Sequence, residues 1–178
     1  FIAEHMADNG VADVVHWGYC GVIAPQDGFF LFPILADSTL DMGIAAIFTD
    51  DNPNTIDVDY RGARRAHRRH QAFGLRGVLA ELDHIDFLHV DIQGAEFEVL
   101  ASALEEVTEK CGNLYIATHS RRAEWDLAEI LMPKGWVLHR ERPCQMHMGA
   151  NWAKGGGTWP LVKKDGAQYW RNPRYGSA

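Results

Sequence analysis

Between residues 85 and 142, three apolar runs alternate with two amphipathic stretches, and this constrains the chain more than any other feature. Ile85-Asp86-Phe87-Leu88-His89-Val90-Asp91 opens the series. Its Phe87 to Val90 segment, apolar but for one His, reads as a strand buried on both faces. Ala95 to Lys110 sets Phe97, Leu100, Leu104 and Val107 at helical spacing, with Glu98, Glu105, Glu106 and Glu109 turned outward and Gly112 as the stop. Leu114-Tyr115-Ile116-Ala117 is a second buried strand. Ser120 is placed to cap a helix over Arg121 to Met132, closed by Pro133 and Gly135. Trp136 to Arg142 then alternates as a third strand. This order means βαβ units, right-handed crossovers and a mostly parallel sheet. The fold class is α/β.

The flanks are less regular. Phe1 to Asp8 reads as a helix already running at the first residue and stopped by Asn9-Gly10. Asp13 to Trp17 and Tyr19 to Ile23 are rich in β-branched and aromatic residues, as strands are. Pro25-Gln26-Asp27-Gly28 is a turn into a returning strand, Gly28 to Phe32, which Pro33 marks as an edge. Residues 36 to 60 lack a sustained period and read as a long loop, while Gly77 to Leu82 is a short helix. Near the other end, Trp159 to Lys164 and Ala167 to Trp170 flank Asp165-Gly166 as a two-residue hairpin. They would add an antiparallel strand at one sheet edge.

Composition narrows the function classes. The chain has 178 residues, enough for one domain, and 17 Lys and Arg against 24 Asp and Glu give a net charge of −7. A wholesale nucleic-acid binder would be basic, so nucleic acid is not expected as a partner. Cys20, Cys111 and Cys144 are too few and too scattered for a disulfide framework or a zinc ribbon, which suits a reducing, cytoplasmic setting. No apolar run approaches the ~18 residues that a membrane span needs. Arg61 to His70 concentrates five arginines and two histidines; it can grip an anion, or form a solvated helix or loop face.

In a parallel sheet, ligands bind beyond the carboxyl ends of the strands. Two ends are legible: Asp91-Ile92-Gln93-Gly94-Ala95-Glu96 and Thr118-His119-Ser120. Gly94 lets a ligand approach the backbone, and Glu96 falls in a first helical turn, where the dipole favours an anion. A purely structural role is equally open at this stage, with Asp91 capping the helix and Glu96 complementing the dipole. His119 titrates near neutrality and is the candidate general base.

His89-Val90-Asp91-Ile92-Gln93-Gly94-Ala95-Glu96 resembles the strand and Asp-x-x-Gly-x-Glu motif of the FkbM methyltransferases. The likeness extends through Asp86-Phe87-Leu88, Val99-Leu100, Gly135-Trp136 and Asp165-Gly166-Ala167-Gln168-Tyr169-Trp170-Arg171-Asn172-Pro173. It covers residues 75 to 174 well and the first 35 loosely. The resemblance implies a Rossmann-like class I sheet, mostly parallel with an antiparallel edge strand, in a single methyltransferase domain over residues 1–178. It implies S-adenosylmethionine as cofactor and methylation of a hydroxyl on a small-molecule or carbohydrate acceptor. Asp91 and His119 would be catalytic. Cys20, Gly21, Asp91, Ile92, Gln93, Gly94 and Glu96 would bind cofactor, with no metal expected because no dense acidic cluster stands at the strand ends.

Two departures qualify the likeness. Thr118-His119-Ser120 stands where many members carry a carboxylate, and no glycine-rich loop follows a first strand. The resemblance therefore implies that this is the C-terminal part of a longer catalytic domain lacking its first strands, with ~50 to 80 residues, on the scale of two βα units, preceding Phe1. The alternative is a non-catalytic Rossmann-like binding or scaffold module that has lost S-adenosylmethionine binding. A nucleotide-dependent oxidoreductase is disfavoured, since no G-x-G-x-x-G follows a strand.

Overall fold

The computed structural model describes residues 2–11, 13, 21–33, 47–48, 57–58, 64–65, 67–147 and 161–175. In chain order they form α1 (Ile2–Asp8), β1 (Val22–Ala24), β2 (Gly28–Pro33), β3 (Ile47–Phe48), β4 (Asp57–Val58), β5 (Arg64–Arg65) and β6 (His67–Gly74). Then follow α2 (Leu75–Ala80), β7 (Leu88–Val90), α3 (Glu96–Ser102), α4 (Leu104–Lys110), β8 (Asn113–Thr118) and α5 (Arg121–Leu131) with a 3-10 turn, Met132–Lys134. Last come β9 (Val137–Arg142), β10 (Gln145–His147), β11 (Leu161–Lys164) and β12 (Gly166–Arg171).

The sheet that carries the site has the order β7-β8-β12-β9. β7 and β8 are parallel, as expected, with Leu88 opposite Leu114 and Val90 opposite Ile116. β12 pairs antiparallel with β8 on one side and β9 on the other. Three of the four strands run in one direction, as expected, but the antiparallel strand lies inside the sheet rather than at its edge. The physical reason is burial, since Ala167, Gln168 and Trp170 are all covered, which an edge position would not achieve. The expected Asp165-Gly166 hairpin is corrected too. β11 pairs with β10, so the chain leaves one ladder at Lys164 and enters another at Gly166.

Leu100, Val107, Leu114, Ile116, Leu127 and Trp170 anchor the main core between this sheet and its helices. Tryptophan nitrogens inside it are satisfied: Trp136 Nε1 donates to Thr108 Oγ1 at 3.2 Å and Trp170 Nε1 to Gln168 Oε1 at 3.1 Å. The helix expected over Ala95 to Lys110 is broken at Ala103, which leaves helical geometry at φ −129°. Ser102 Oγ donates back to Val99 O at 2.7 Å, a local bond that competes with helix propagation. β7 is not buried on both faces either, for Phe87 and His89 are exposed and only β8 pairs with it among the described residues.

A second sheet has the order β1-β6-β2-β3. The basic stretch expected as a helix or loop face supplies β5 and the first half of β6, which pairs parallel with β1 and antiparallel with β2. Backbone pairing on both sides, and Arg69 stacked 3.3 Å over the Phe29 ring, support a strand that its arginines disguise. β2 is no edge, since Phe30 and Leu31 also pair with β3; Pro33 lies past those two residues and so removes no bond from that ladder. β3 and β4 fall inside the expected long loop. Most of that loop, the Asp13 to Trp17 strand beyond Asp13, Trp152 and Trp159 lie outside the described residues.

Candidate active site

Parallel pairing of β7 with β8 brings Asp91 and His119, the residues just past their carboxyl ends, to the same end of the sheet. Between Asp91 and α3 the backbone turns through Gln93 (φ 56°) and Gly94 (φ 101°), both left-handed. That turn lets Glu96, the first residue of α3, fold its carboxylate back over the loop. Its Oε1 accepts from Ile92 N at 3.2 Å and Gly94 N at 2.9 Å. The same oxygen lies 2.9 Å from His119 Nδ1. Glu96 is completely buried, and its Oε2 has no hydrogen-bond partner.

The geometry distinguishes the two ring nitrogens of His119. A carboxylate can only accept, so Nδ1 carries the hydrogen and Nε2 is the free nitrogen of the neutral ring. Nε2 makes no hydrogen bond and stands 3.6 Å from Asp91 Oδ1 and 3.9 Å from Asp165 Oδ1. The hydrogen bond to Glu96 holds the His119 pKa above the ordinary imidazole value against the opposing effect of burial, and the charges of Glu96, Asp165 and Asp91 reinforce it.

Asp165 was not singled out from the sequence as a site residue. It is delivered by Gly166, where a Cβ would stand 2.2 Å from both Glu124 Oε1 and Thr118 Oγ1. Only glycine lets β12 begin this close to the end of β8. Glu124 is itself buried, accepting from Thr118 Oγ1 at 2.9 Å and pairing with Arg121 at 2.6 Å. Ser120 caps α5 as expected, its Oγ accepting from Ala123 N at 3.0 Å. His119 is thus held from β8, α3 and α5 together.

The other expected site residues divide. Asp91 and Gly94 are exposed, Ile92 and Gln93 half-buried, and nothing lies within 4 Å of a Cβ built on Gly94. Glu96, expected to bind cofactor, has one oxygen that already serves two backbone groups and an imidazole. At Gly21, also expected to bind cofactor, a Cβ would stand 2.5 Å from Gln71 O and 2.6 Å from Phe73 Cε2, so only glycine fits this close to β6. Cys20 lies outside the described residues. S-adenosylmethionine therefore fits the described residues only in part: the open Asp91 to Gly94 loop can border it, and no glycine-rich cradle is present among them.

Two further chemistries are bounded by the same geometry. The absence of an acidic cluster expected from the sequence is corrected, for three carboxylates surround His119. Ligand atoms of Asp91, Glu96 and His119 lie within 4.8 Å of one another, close enough to share a cation. The two described thiols are poor nucleophiles: burial pushes Cys111 up to about 11 and raises Cys144, near Glu124, in the same direction.

The model of the methyltransferase FkbM domain matches residues 37–134, which hold Asp91, Glu96 and His119. The chain belongs to the FkbM methyltransferase family. It is 30% identical over 158 residues to a protein of Jannaschia sp. (strain CCS1) named "Putative methyltransferase", covering 86% of this chain and 51% of that one. The chain thus spans about half the length of this relative. No solved structure matches it. Among the described residues, no helix is long and apolar enough to cross a membrane.

Proposed function

We propose that the protein containing this chain is an S-adenosylmethionine-dependent methyltransferase of Rossmann-like class I architecture, acting on a hydroxyl of a sugar or secondary metabolite. One observation carries the reading: a nearly buried imidazole, clamped through Nδ1 by a buried carboxylate, keeps an unbonded Nε2 at the ends of two parallel strands, itself covered beside Asp91 and Asp165 until an acceptor parts them. When bound, S-adenosylmethionine would supply an electrophilic methyl group, with the neutral thioether S-adenosylhomocysteine as the leaving group. His119 Nε2 takes the acceptor's hydroxyl proton as that oxygen attacks, and positioned proton transfer of this kind contributes about 10² to 10⁴ in rate. Asp91 accepts from the acceptor or from the imidazolium that forms. The Asp91 to Gly94 loop, with Ile92 and Gln93 half-exposed, borders the cofactor.

A second reading, a module that no longer holds cofactor, draws support from Gly21 and Glu96, both committed to internal packing. Calorimetric titration of the full-length protein with S-adenosylhomocysteine separates the two. One-to-one binding, with products heavier by one methylene on hydroxylated acceptors, supports the enzyme. Absence of binding favours the module and overturns the proposal.

A further inference from the structure

We infer that Glu96 is a positioning residue for His119, using one oxygen to lock the Asp91 to Ala95 loop and to set which imidazole nitrogen is free. The role is legible in three bonds that converge on Oε1: Ile92 N at 3.2 Å, Gly94 N at 2.9 Å and His119 Nδ1 at 2.9 Å. Two of these donors belong to the left-handed turn that Gln93 and Gly94 create; the third belongs to the next strand end. Moving the carboxylate therefore disturbs loop and ring at once. A role limited to complementing the helix dipole would need neither burial nor the histidine, yet Glu96 is fully buried and α3 has only seven residues. The charged groups facing His119 are Glu96 from the start of α3, Asp91 from the end of β7 and Asp165 from the segment before β12. Of these, Glu96 alone reaches Nδ1, so it alone selects the Nε2-free tautomer. Asp91 and Asp165 face the nitrogen that does the chemistry.

The inference rests on the proposed methyl transfer for what His119 does, but not for the coupling itself. The decisive measurement is nitrogen and proton NMR of the His119 ring in the full-length protein, alone and in Glu96→Gln and Glu96→Asp, together with kcat and KM against pH. In the unsubstituted protein the neutral ring is expected to carry its hydrogen on Nδ1. A predominant Nε2–H tautomer overturns the inference without any variant being needed. Glu96→Gln is expected to move the His119 titration and the acid limb of kcat to lower pH. It should cut kcat about 10²-fold, the scale of a small misplacement of a catalytic group, with the KM for cofactor held. Glu96→Asp, which keeps the charge on a shorter arm, is expected to restore part of the titration shift. A folded Glu96→Gln with unchanged His119 titration, or with a raised cofactor KM and unchanged kcat, overturns it; the latter returns Glu96 to cofactor binding. If the unsubstituted protein transfers no methyl group, the proposed activity fails, while tautomer and titration still decide the role of Glu96.

Discussion

His119 Nδ1 and Glu96 Oε1 meet at 2.9 Å across the ends of a strand and a helix that the sequence separates by a whole βα unit. The bond joins a group that gains and loses a proton to one that can only accept.

Stability and activity should run in opposite directions with pH. The folded-state pKa of His119 is raised above the ordinary unfolded value of about 6.5, so its stabilising contribution is complete below that value and lost as pH rises through the folded pKa. Urea midpoints of the unsubstituted protein and His119→Gln are expected to converge as pH rises. With His119 as the proposed base, turnover is expected to rise over the same window, because only the neutral ring can take a proton.

Asp91 is exposed and spends its side chain on Gln93 Nε2 at 3.2 Å, a bond of little structural weight. Asp91→Asn is expected to change stability by no more than about 0.5 kcal/mol while turnover falls far more steeply. Equal losses of fold and turnover would mark Asp91 as a structural residue.

The left-handed turn gives a paired test. Gln93→Gly is expected to stabilise slightly, relieving a non-glycine φ of 56° that costs on the order of 1 kcal/mol. Gly94→Ala, at φ 101° with open space around it, is expected to destabilise through the backbone alone. Chemical denaturation of both variants reads the difference.

Ser120→Ala removes the cap of α5 and should cost about 1 kcal/mol. Gly166→Ala should cost more, since the new methyl meets Glu124 and Thr118 oxygens at 2.2 Å. Its effect on the His119 titration should also be larger, because β12 and Asp165 must shift away. Thermal melts with ring NMR check both.

Removal of divalent ions should leave turnover unchanged. The Glu96 oxygen nearest His119 is already saturated by three donors, and the ring hydrogen lies between the two groups. Loss of activity in EDTA, restored by magnesium, would instead assign Asp91, Glu96 and His119 to a cation.

The strand ends were legible because apolar runs and helix caps mark them: Asp91, Gly94, Glu96 and His119 stand in the local pattern of βα junctions. The work done by Glu96 was not, because the helix dipole is a neighbour effect while its main partner arrives from β8. Asp165 was hidden by its own dipeptide, since Asp-Gly reads as a turn until Gly166 is seen pressed against Thr118. β6 escaped because its arginines and histidines mask a strand held by backbone pairing on both sides. The place of β12 between β8 and β9 depends on which edges remain open once both have formed, a question no window of sequence contains.

That insertion has a temporal side. β8 and β9 are synthesised well before β12, yet neither pairs with the other in the finished sheet. As the chain leaves the ribosome, both must wait with open edges until residues 166–171 emerge and slide between them. Unpaired edges of this kind invite association with other chains. Slow synthesis over the segment preceding β12, or a stall before it, should therefore be the moment at which nascent copies of this protein depend most on a chaperone.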